Sequence, residues 1–214
     1  MTGFEHISVE RDSSIITITM TNARRRNVLS MPALVEITAA LSEAGESEAL
    51  GVIIAAEGPA FSAGHDFSDM VGADFHQARE LFDVCGNIMM LIQTLPQVVI
   101  ARVQGLATAA GCQLVAACDM AVAGESAMFQ TPGGKGGLFC HTPMVAVARA
   151  VDRKRGLEMA LTGDPIDAST AAEWGLGNRV VPDDLLVEHT AELMRRATCG
   201  SAYSKAMGKR SYYT

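Results

Sequence analysis

Positive charge is scarce in this sequence and is not gathered into a patch. Lys and Arg number 17 against 24 Asp and Glu, which gives a net charge of −7, and the basic residues are dispersed apart from short runs such as Arg24, Arg25 and Arg26. Nucleic-acid-binding surfaces need a concentrated positive field that neutralises phosphates. We therefore expect no nucleic-acid partner.

Long apolar runs are also lacking. The most apolar stretch, Leu106 to Gly124, is interrupted by Gln113 and Asp119, whereas a membrane helix needs roughly 20 predominantly apolar residues. The N-terminus has neither the basic start and apolar core of a secretory signal nor the Arg-rich character of a transit peptide. The sequence predicts no membrane span and no export.

Cysteine is too scarce for a disulfide framework. The five cysteines include no C-x-x-C pair, and no cluster of His, Cys, Asp and Glu has the spacing of a metal site. The glycines around Lys135 do not form a phosphate-binding loop, because no Ser or Thr follows the lysine. These absences predict a cytoplasmic protein that holds no metal ion.

Alternating strand-like and helix-like segments dominate what is present. With 214 residues, 49% of them hydrophobic, the chain suits a single domain over residues 1–214. Apolar or β-branched runs at Ile15 to Met20, Gly51 to Ala56 and Val98 to Val103 alternate with helical periodicity. The pattern predicts an α/β fold that begins with a hairpin. No cap or breaker precedes Thr214, so we expect the C-terminal helices to be incomplete.

Two stretches combine a strand end, very small residues and a following helix. They are Phe61 to Asp66 (F-S-A-G-H-D) and Gln104 to Gln113 (Q-G-L-A-T-A-A-G-C-Q). Small residues let a ligand approach main-chain N–H groups, and a helix N-terminus adds partial positive charge, so two such segments can form an oxyanion hole. Each stretch alone is as compatible with a structural role, a tight connection for the first and close helix packing for the second.

Taken together, the two stretches resemble the motifs of the crotonase (enoyl-CoA hydratase/isomerase) superfamily, F-S/C-A-G-x-D followed by N-G-x-A-x-G-G-G-x-E-L. The resemblance extends from about Ile7 to Met207 and includes Arg26 to Ser30 (R-N-V-L-S) and Leu161 to Ile166 (L-T-G-D-P-I). It implies a crotonase-like spiral of repeated ββα units with C-terminal helices, assembled as a homotrimer or a hexamer.

The resemblance also implies a site for a coenzyme A ester. The amides of Ala63 and Ala110 would be the two oxyanion-hole donors. The coenzyme A part of the ligand would be lined by Ala63, Gly64, His65, Asp66 and either Arg24 or Arg25. Coenzyme A is then part of the substrate, and we expect no separate cofactor.

Two departures from the family pattern concern catalysis. Hydratases of the family use two glutamates, as base and as acid, to add water to a conjugated enoyl thioester. The corresponding positions here are Gln113 and Gly133. An amide can orient water but takes no proton near neutral pH, and glycine does neither. The surrounding segments resemble the enoyl-CoA hydratase domain-containing subgroup, which lacks both glutamates.

The resemblance places His141 where some isomerases of the superfamily carry an aspartate. A histidine titrates near neutrality and could carry a proton, or it could equally form a loop contact. The sequence thus predicts an acyl-CoA-binding enzyme, nominally an enoyl-CoA hydratase of fatty acid metabolism, with catalytic residues Ala63, Ala110, Gln113 and His141. Two alternatives stay open, a non-catalytic acyl-CoA-binding regulator and a different crotonase reaction such as decarboxylation or thioester hydrolysis.

Overall fold

Two β-sheets organise the computed structural model, which describes residues 3–214. The strands are β1 (Ile7–Asp12), β2 (Ile15–Met20), β3 (Gly51–Ala56), β4 (Ala60–Ser62), β5 (Val98–Val103), β6 (Leu106–Thr108), β7 (Met120–Gly124), β8 (Met128–Gln130), β9 (Ile166–Asp167) and β10 (Arg179–Val181). The larger sheet has the order β1-β2-β3-β5-β7-β10, and the smaller has the order β4-β6-β8-β9.

Helices cover these sheets and form the end of the described chain. They are α1 (Met31–Gly45), α2 (Phe75–Thr94), α3 (Ala110–Ala117), α4 (His141–Ala150), α5 (Arg153–Thr162), α6 (Ala168–Trp174), α7 (Leu186–Thr198) and α8 (Ala202–Tyr213). Short 3-10 segments connect them at Ala23–Arg25, Phe67–Asp69, Pro132–Gly136 and Asp183–Leu185.

A strand of the larger sheet, a strand of the smaller sheet and a helix follow one another repeatedly along the chain. The units are β3-β4-α2, β5-β6-α3 and β7-β8-α4. Strands β3, β5 and β7 are parallel in the larger sheet, as are β4, β6 and β8 in the smaller one. This arrangement confirms the α/β fold class and the repeated ββα units expected from the sequence.

The smaller sheet is where sequence patterns and structure differ. The sequence predicts loops or turns at residues 57–73 and just after Gly105, whereas Ala60–Ser62 and Leu106–Thr108 pair in parallel as β4 and β6. Strands of three residues are too short to show a period of two. They are stabilised by pairing with a strand that is distant in sequence.

Both faces of the larger sheet are buried. Alternate residues of a strand point to opposite faces, so Val52 and Ile54 join the core that α1 and α2 cover. Ile53 and Ile100 on the other face pack with Met194 of α7. The continuous apolar run in β3 is therefore explained by cover on both sides.

Helix starts follow the local sequence signals. The Ser30 hydroxyl caps α1 by accepting a hydrogen bond from the Ala33 amide at 3.4 Å. Asp74 and Gln77 cap α2 reciprocally, each side chain bonding the other residue's backbone N–H at 2.9 Å. Such caps satisfy amide groups that the first turn of a helix leaves unpaired.

A buried ion pair attaches α8 to the rest of the domain. The Lys209 ammonium, on a side chain that is only 10% exposed, donates to the Asp119 carboxylate at 2.6 Å and to the carbonyls of Ile92 and Gln97 at 2.8 Å each. The Tyr213 hydroxyl donates to the other Asp119 oxygen at 3.0 Å. We call Lys209, Asp119 and Tyr213 the α8 junction.

Within residues 3–214, no helix is long and apolar enough to cross a membrane. No group of three or more His, Cys, Asp and Glu side chains in that part of the chain is arranged to hold a metal ion.

Candidate active site

The carboxyl ends of β4, β6 and β8 meet at one edge of the smaller sheet, because these strands are parallel neighbours. Residues 63–66 leave β4 there, residues 109–113 leave β6, and residues 131–133 leave β8. We call this region the carboxyl edge. Ligands of parallel sheets bind outside the carboxyl ends of the strands, where connecting segments converge.

Two glycines bring the first two segments into contact. Gly64 has a φ of 81°, and a Cβ placed on it would lie 3.0 Å from the Ala109 Cβ and 3.1 Å from the Ala110 amide nitrogen. A Cβ on Gly111 would lie 2.6 Å from the Ser62 carbonyl oxygen. Glycine at both positions therefore allows residues 63–66 to lie against the start of α3.

The Ala110 amide projects from a strained turn. Ala109 has a φ of 50° and a ψ of −119°, a conformation that is nearly restricted to glycine. The Ala109 amide donates to the Gln130 carbonyl at 2.9 Å, and its own carbonyl accepts from the Gln113 amide at 3.0 Å. The Ala110 amide donates to no other described residue, which leaves it available to a ligand.

The structure corrects the second expected donor. The Ala63 amide donates to the Arg26 carbonyl at 2.9 Å, and the Gly64 amide donates to the Ser62 hydroxyl at 3.2 Å. The next amide, that of His65, donates to no described residue. The Ala63 amide is therefore already occupied within the chain, and His65 replaces it as the candidate partner of Ala110.

The His65 ring is enclosed and unpaired. Its centroid lies 5.3 Å from that of Phe82 in an edge-on arrangement, and neither buried ring nitrogen has a hydrogen-bond partner among the described residues. Burial lowers the pKa of His65, and the Leu29 carbonyl and the Asp69 charge offset this only in part. The imidazole is therefore neutral at neutral pH, and its ring offers one donor and one acceptor.

Asp66 and Arg25 stabilise the loop instead of projecting towards a ligand. The Asp66 side chain is 5% exposed, and its two oxygens accept from the Arg25 guanidinium at 2.8 and 3.0 Å. One oxygen also caps the Phe67–Asp69 turn by accepting from the Ser68 amide at 3.0 Å. Burial alone would raise the pKa of Asp66, but the Ser68 hydrogen bonds and the Arg25 charge outweigh it and hold that pKa below its usual range.

The ion pair between Arg25 and Asp66 limits which of the expected residues remain free to contact coenzyme A. The Asp66 carboxylate has no oxygen left without a partner, whereas the Arg25 side chain is still 57% exposed. Arg24 is exposed as well. Of the two arginines expected to reach phosphates, Arg24 is the one not bound to Asp66.

Four residues at or beside the carboxyl edge carry buried polar atoms without a partner in the described chain. They are His65, Thr108, Gln113 and Thr131, which we call the open polar set. Asn27 and Gln97 also have one unpaired oxygen each, but their amide nitrogens donate to main-chain carbonyls. Buried polar groups are nearly always paired, and an unpaired one costs about 1–3 kcal/mol. The open polar set therefore indicates a place that a polar ligand or water completes.

Thr108 and Thr131 are the members that the sequence does not predict. Thr108 ends β6, and Thr131 directly follows β8. The available signal is a hydroxyl residue at the end of a short apolar strand, next to a segment of small residues. That signal is weak, because threonine is common in strands for packing reasons alone.

Gly133 differs from a glutamate in more than its missing carboxylate. A Cβ on Gly133 would collide with the Leu138 carbonyl oxygen and would lie 2.8 Å from the Cys140 sulfur. The Gly133 amide also donates to that sulfur at 3.2 Å. The turn that ends at Cys140 thus occupies the room that any side chain at position 133 would need.

The two cysteines of this region remain protonated. Burial raises the pKa of the Cys112 thiol to about 12 and also raises that of Cys140. A thiol, unlike a thiolate, is a poor nucleophile. Neither thiol is therefore suited to act as a nucleophile in this region.

His141 forms a loop contact. It is exposed at the start of α4, and its Nδ1 lies 2.9 Å from the Phe139 carbonyl oxygen. Its ring packs edge-on against Phe139 at 5.2 Å. These contacts are those of a loop residue, which is one of the two roles expected for His141. His141 does not belong to the open polar set.

Comparison with known sequences identifies the class of proteins to which these ββα units and the two contacting loops belong. The chain belongs to the enoyl-CoA hydratase/isomerase family, which matches residues 10–213. The resemblance inferred from the sequence motifs is thereby confirmed.

Particular relatives narrow the position within the family. The chain is 46% identical over 210 residues to the rat (Rattus norvegicus) enoyl-CoA hydratase domain-containing protein 3, mitochondrial, covering 96% of this chain and 69% of the relative. The crystal structure of the human protein of that name superposes with a TM-score of 0.92 at 42% identity, over 98% of this chain and 83% of the other. An enoyl-CoA hydratase from Mycobacterium smegmatis gives a TM-score of 0.95 at 39% identity, over 98% and 82% of the two chains.

The comparison overturns the expected location. The rat, mouse and human relatives are all named as mitochondrial, so the prediction of a cytoplasmic protein is wrong and the relatives point to mitochondria. Unpaired cysteines indicate a reducing compartment, and this signal does not distinguish the cytosol from other reducing compartments.

Proposed function

We propose that the chain is an enoyl-CoA hydratase-like enzyme that binds an acyl-CoA thioester and polarises its carbonyl between the main-chain amides of His65 and Ala110. The observation that carries the proposal is that both amides lack an acceptor within the described chain, on two loops that touch through Gly64. A thioester carbonyl oxygen is the acceptor that such a pair of donors suits.

The electrostatic advantage of this arrangement increases as charge develops. When the thioester becomes an enolate, its oxygen gains negative charge, and fixed N–H groups at the start of α3 stabilise it together with the positive end of the helix. The strained turn at Ala109 fixes the donor in advance, so little reorganisation is needed during the reaction. Removal of one such donor lowers kcat by about 100- to 1,000-fold in related chemistry.

The site has few side chains that could transfer a proton. The two carboxylates on the 63–69 segment are already engaged within the chain. Asp66 accepts from the Ser68 amide and the Arg25 guanidinium, and Asp69 accepts from the Met31 amide at 2.8 Å. Gln113 can orient a water molecule, and His141 remains a candidate carrier if the Phe139 contact opens. A reaction that asks for little acid–base chemistry fits this site better than two-glutamate hydration.

A second candidate is an acyl-CoA-binding protein without turnover. It is favoured by the filled space beside Gly133, because the loop has closed over the position of the missing acid. In both cases we propose that the coenzyme end passes Arg24 and that the protein acts in mitochondrial fatty acid metabolism. We also propose a homotrimer or hexamer formed by the C-terminal helices.

The decisive experiment follows loss of the conjugated thioester absorbance of crotonyl-CoA, with calorimetric binding of the same ligand alongside. Turnover would support the enzyme, and binding without turnover would support the second candidate. No binding would contradict both proposals.

A backbone change tests the donor directly. Incorporation of an α-hydroxy acid in place of Ala110 replaces its N–H by an ester oxygen, and we expect weaker binding and, if turnover occurs, a kcat loss of about 100-fold or more. The same change at Ala202, the first residue of α8, removes an exposed first-turn amide far from the edge. Equal effects at the two positions would contradict the role of the Ala110 amide.

A further inference from the structure

A cavity of about 290 Å³ lies at the amino ends of β3 and β5, away from the carboxyl edge. Its walls come from the segment that joins α1 to β3, the segment that joins α2 to β5, and the first turns of α8. Apolar side chains that line it include Leu50, Val98 and Ala206. Because a water molecule in the liquid takes up roughly 30 Å³, the cavity has room for a small organic molecule.

Gln97 lines this cavity and carries an unpaired hydrogen-bond acceptor. The residue is only 4% exposed, and its amide nitrogen donates to the Ala44 carbonyl, in the last turn of α1, at 2.9 Å. Since a carbonyl only accepts, this bond fixes which end of the amide is the nitrogen. The amide oxygen at the other end is buried and has no partner within residues 3–214. Such an acceptor is destabilising until a donor pairs with it.

Two opposite charges line the same cavity without pairing with each other. Among its lining residues the charged ones are Glu48 and Lys205. Glu48 is exposed and forms no ion pair in the described chain, and the Lys205 ammonium has only the Ala197 carbonyl as a partner there. The two side chains are therefore too far apart for an ion pair, and a bound molecule can pair with both.

The acceptors and the ammonium belong to different sides of the cavity. Glu48 closely follows the end of α1, and Gln97 is bonded to the last turn of that helix, whose C-terminal end carries partial negative charge. Lys205 is on α8 and binds the end of α7 through Ala197. The α1 side therefore suits a positively charged donor, and the α8 side suits an anionic acceptor. A ligand with one charge matches only one side.

We propose that this cavity is a second ligand site, which binds a free amino acid with an apolar side chain. Glu48 and the Gln97 amide oxygen contact its ammonium group, Lys205 contacts its carboxylate, and its side chain packs against the apolar wall. The proposal does not depend on thioester binding, because no residue of the carboxyl edge lines the cavity.

The test titrates leucine into the unaltered protein and follows saturation transfer to the leucine methyl groups by NMR. Two analogues each lack one charge, since isoamylamine is leucine without the carboxylate and isocaproate is leucine without the ammonium. We expect leucine to bind about fivefold more tightly than either analogue, because each analogue loses one charged contact with a partly exposed side chain.

Two substitutions assign the two charges to the two sides. Glu48→Gln should weaken leucine and isoamylamine by about three- to fivefold and leave isocaproate unchanged. Lys205→Met should weaken leucine and isocaproate by a similar factor and leave isoamylamine unchanged. Glu46→Gln is the matched control, because Glu46 is exposed two residues before Glu48 and does not line the cavity. It should leave all three affinities unchanged.

Ala206→Leu tests the location without changing a charge, because Ala206 lines the cavity and a larger side chain there takes up its space. We expect it to abolish leucine binding. Absence of leucine binding to the unaltered protein overturns the proposal, as does equal affinity for leucine and either analogue. Leucine binding that survives Ala206→Leu, or that falls equally in Glu46→Gln and Glu48→Gln, also overturns it. None of these results affects thioester binding at the carboxyl edge.

Discussion

Buried polar groups are paired within the chain at the α8 junction, whereas several at the carboxyl edge are unpaired. At the junction, the Lys209 ammonium has an acceptor for each of its three protons, and both Asp119 oxygens accept hydrogen bonds. At the edge, the open polar set has no partners in the described chain, and Ala109 adopts a strained backbone. The first region is paired within the chain, and the second has buried polar groups left to pair with a ligand or water.

This difference separates structural from functional use of polarity. A buried charge that stabilises the fold must be paired by the chain, since an uncompensated one is strongly destabilising. A binding site retains polar groups and backbone strain at some cost in stability, because the ligand uses them. Substitutions that break the pairs of the junction should therefore destabilise the protein, whereas those that remove an unpaired side chain or the strained backbone at the edge should be neutral or stabilising.

The largest effect is expected at the junction. Lys209→Met removes the ammonium and leaves the Asp119 carboxylate, 14% exposed, without its cation. We expect the free energy of unfolding to fall by about 3 kcal/mol, measured by urea denaturation. Lys205→Met, on the same helix with a single carbonyl partner at Ala197, is the control and should lose far less. Equal losses of unfolding free energy in the two variants would show that the buried pair of Lys209 and Asp119 stabilises the protein no more than the single contact of Lys205.

The next effect concerns the missing glutamate. Gly133→Glu should destabilise the protein by about 2 kcal/mol, because its Cβ collides with backbone, and should not increase hydration of crotonyl-CoA. Gly136→Glu, in the same turn but with nothing within 4 Å of the added Cβ, should be close to neutral. A gain of hydratase activity in Gly133→Glu with undiminished stability would show that the turn is not a fixed obstacle.

Asp66 provides a prediction about pH. Because its folded-state pKa is lowered, its contribution to stability is present above the ordinary aspartate pKa and is lost as the pH falls through the folded value. Asp66→Asn should lower the free energy of unfolding at pH 7 by about 1.5 kcal/mol and should flatten its decline below about pH 5. Parallel pH profiles for the two proteins would contradict the assignment.

A small effect of opposite sign is expected at the strained turn. Ala109→Gly should raise the free energy of unfolding by about 0.5–1 kcal/mol, because glycine adopts a positive φ without strain. The same change at Ala116, inside α3, should lower it by a similar amount. Thermal denaturation of both variants decides the point, and a loss at both positions would mean that Ala109 is not strained.

The fold was largely predictable from local signals, and the site only partly. Long apolar runs such as Gly51 to Ala56 and caps such as Ser30 indicate their elements directly. The three-residue strands β4 and β6 depend on pairing between distant segments, which no local pattern reveals. The motifs located Ala110 and Gln113, but the choice of His65 over Ala63 required knowing that the Arg26 carbonyl occupies the Ala63 amide.

We expect the carboxyl edge to bind a thioester carbonyl through the main-chain amides of His65 and Ala110. The most direct measurement compares the calorimetric affinities of butyryl-CoA and of S-butyl-CoA, a thioether of similar chain length that lacks the carbonyl oxygen. We expect the thioester to bind at least about tenfold more tightly, as two hydrogen bonds to one oxygen would provide. Equal affinity for the two ligands would contradict it.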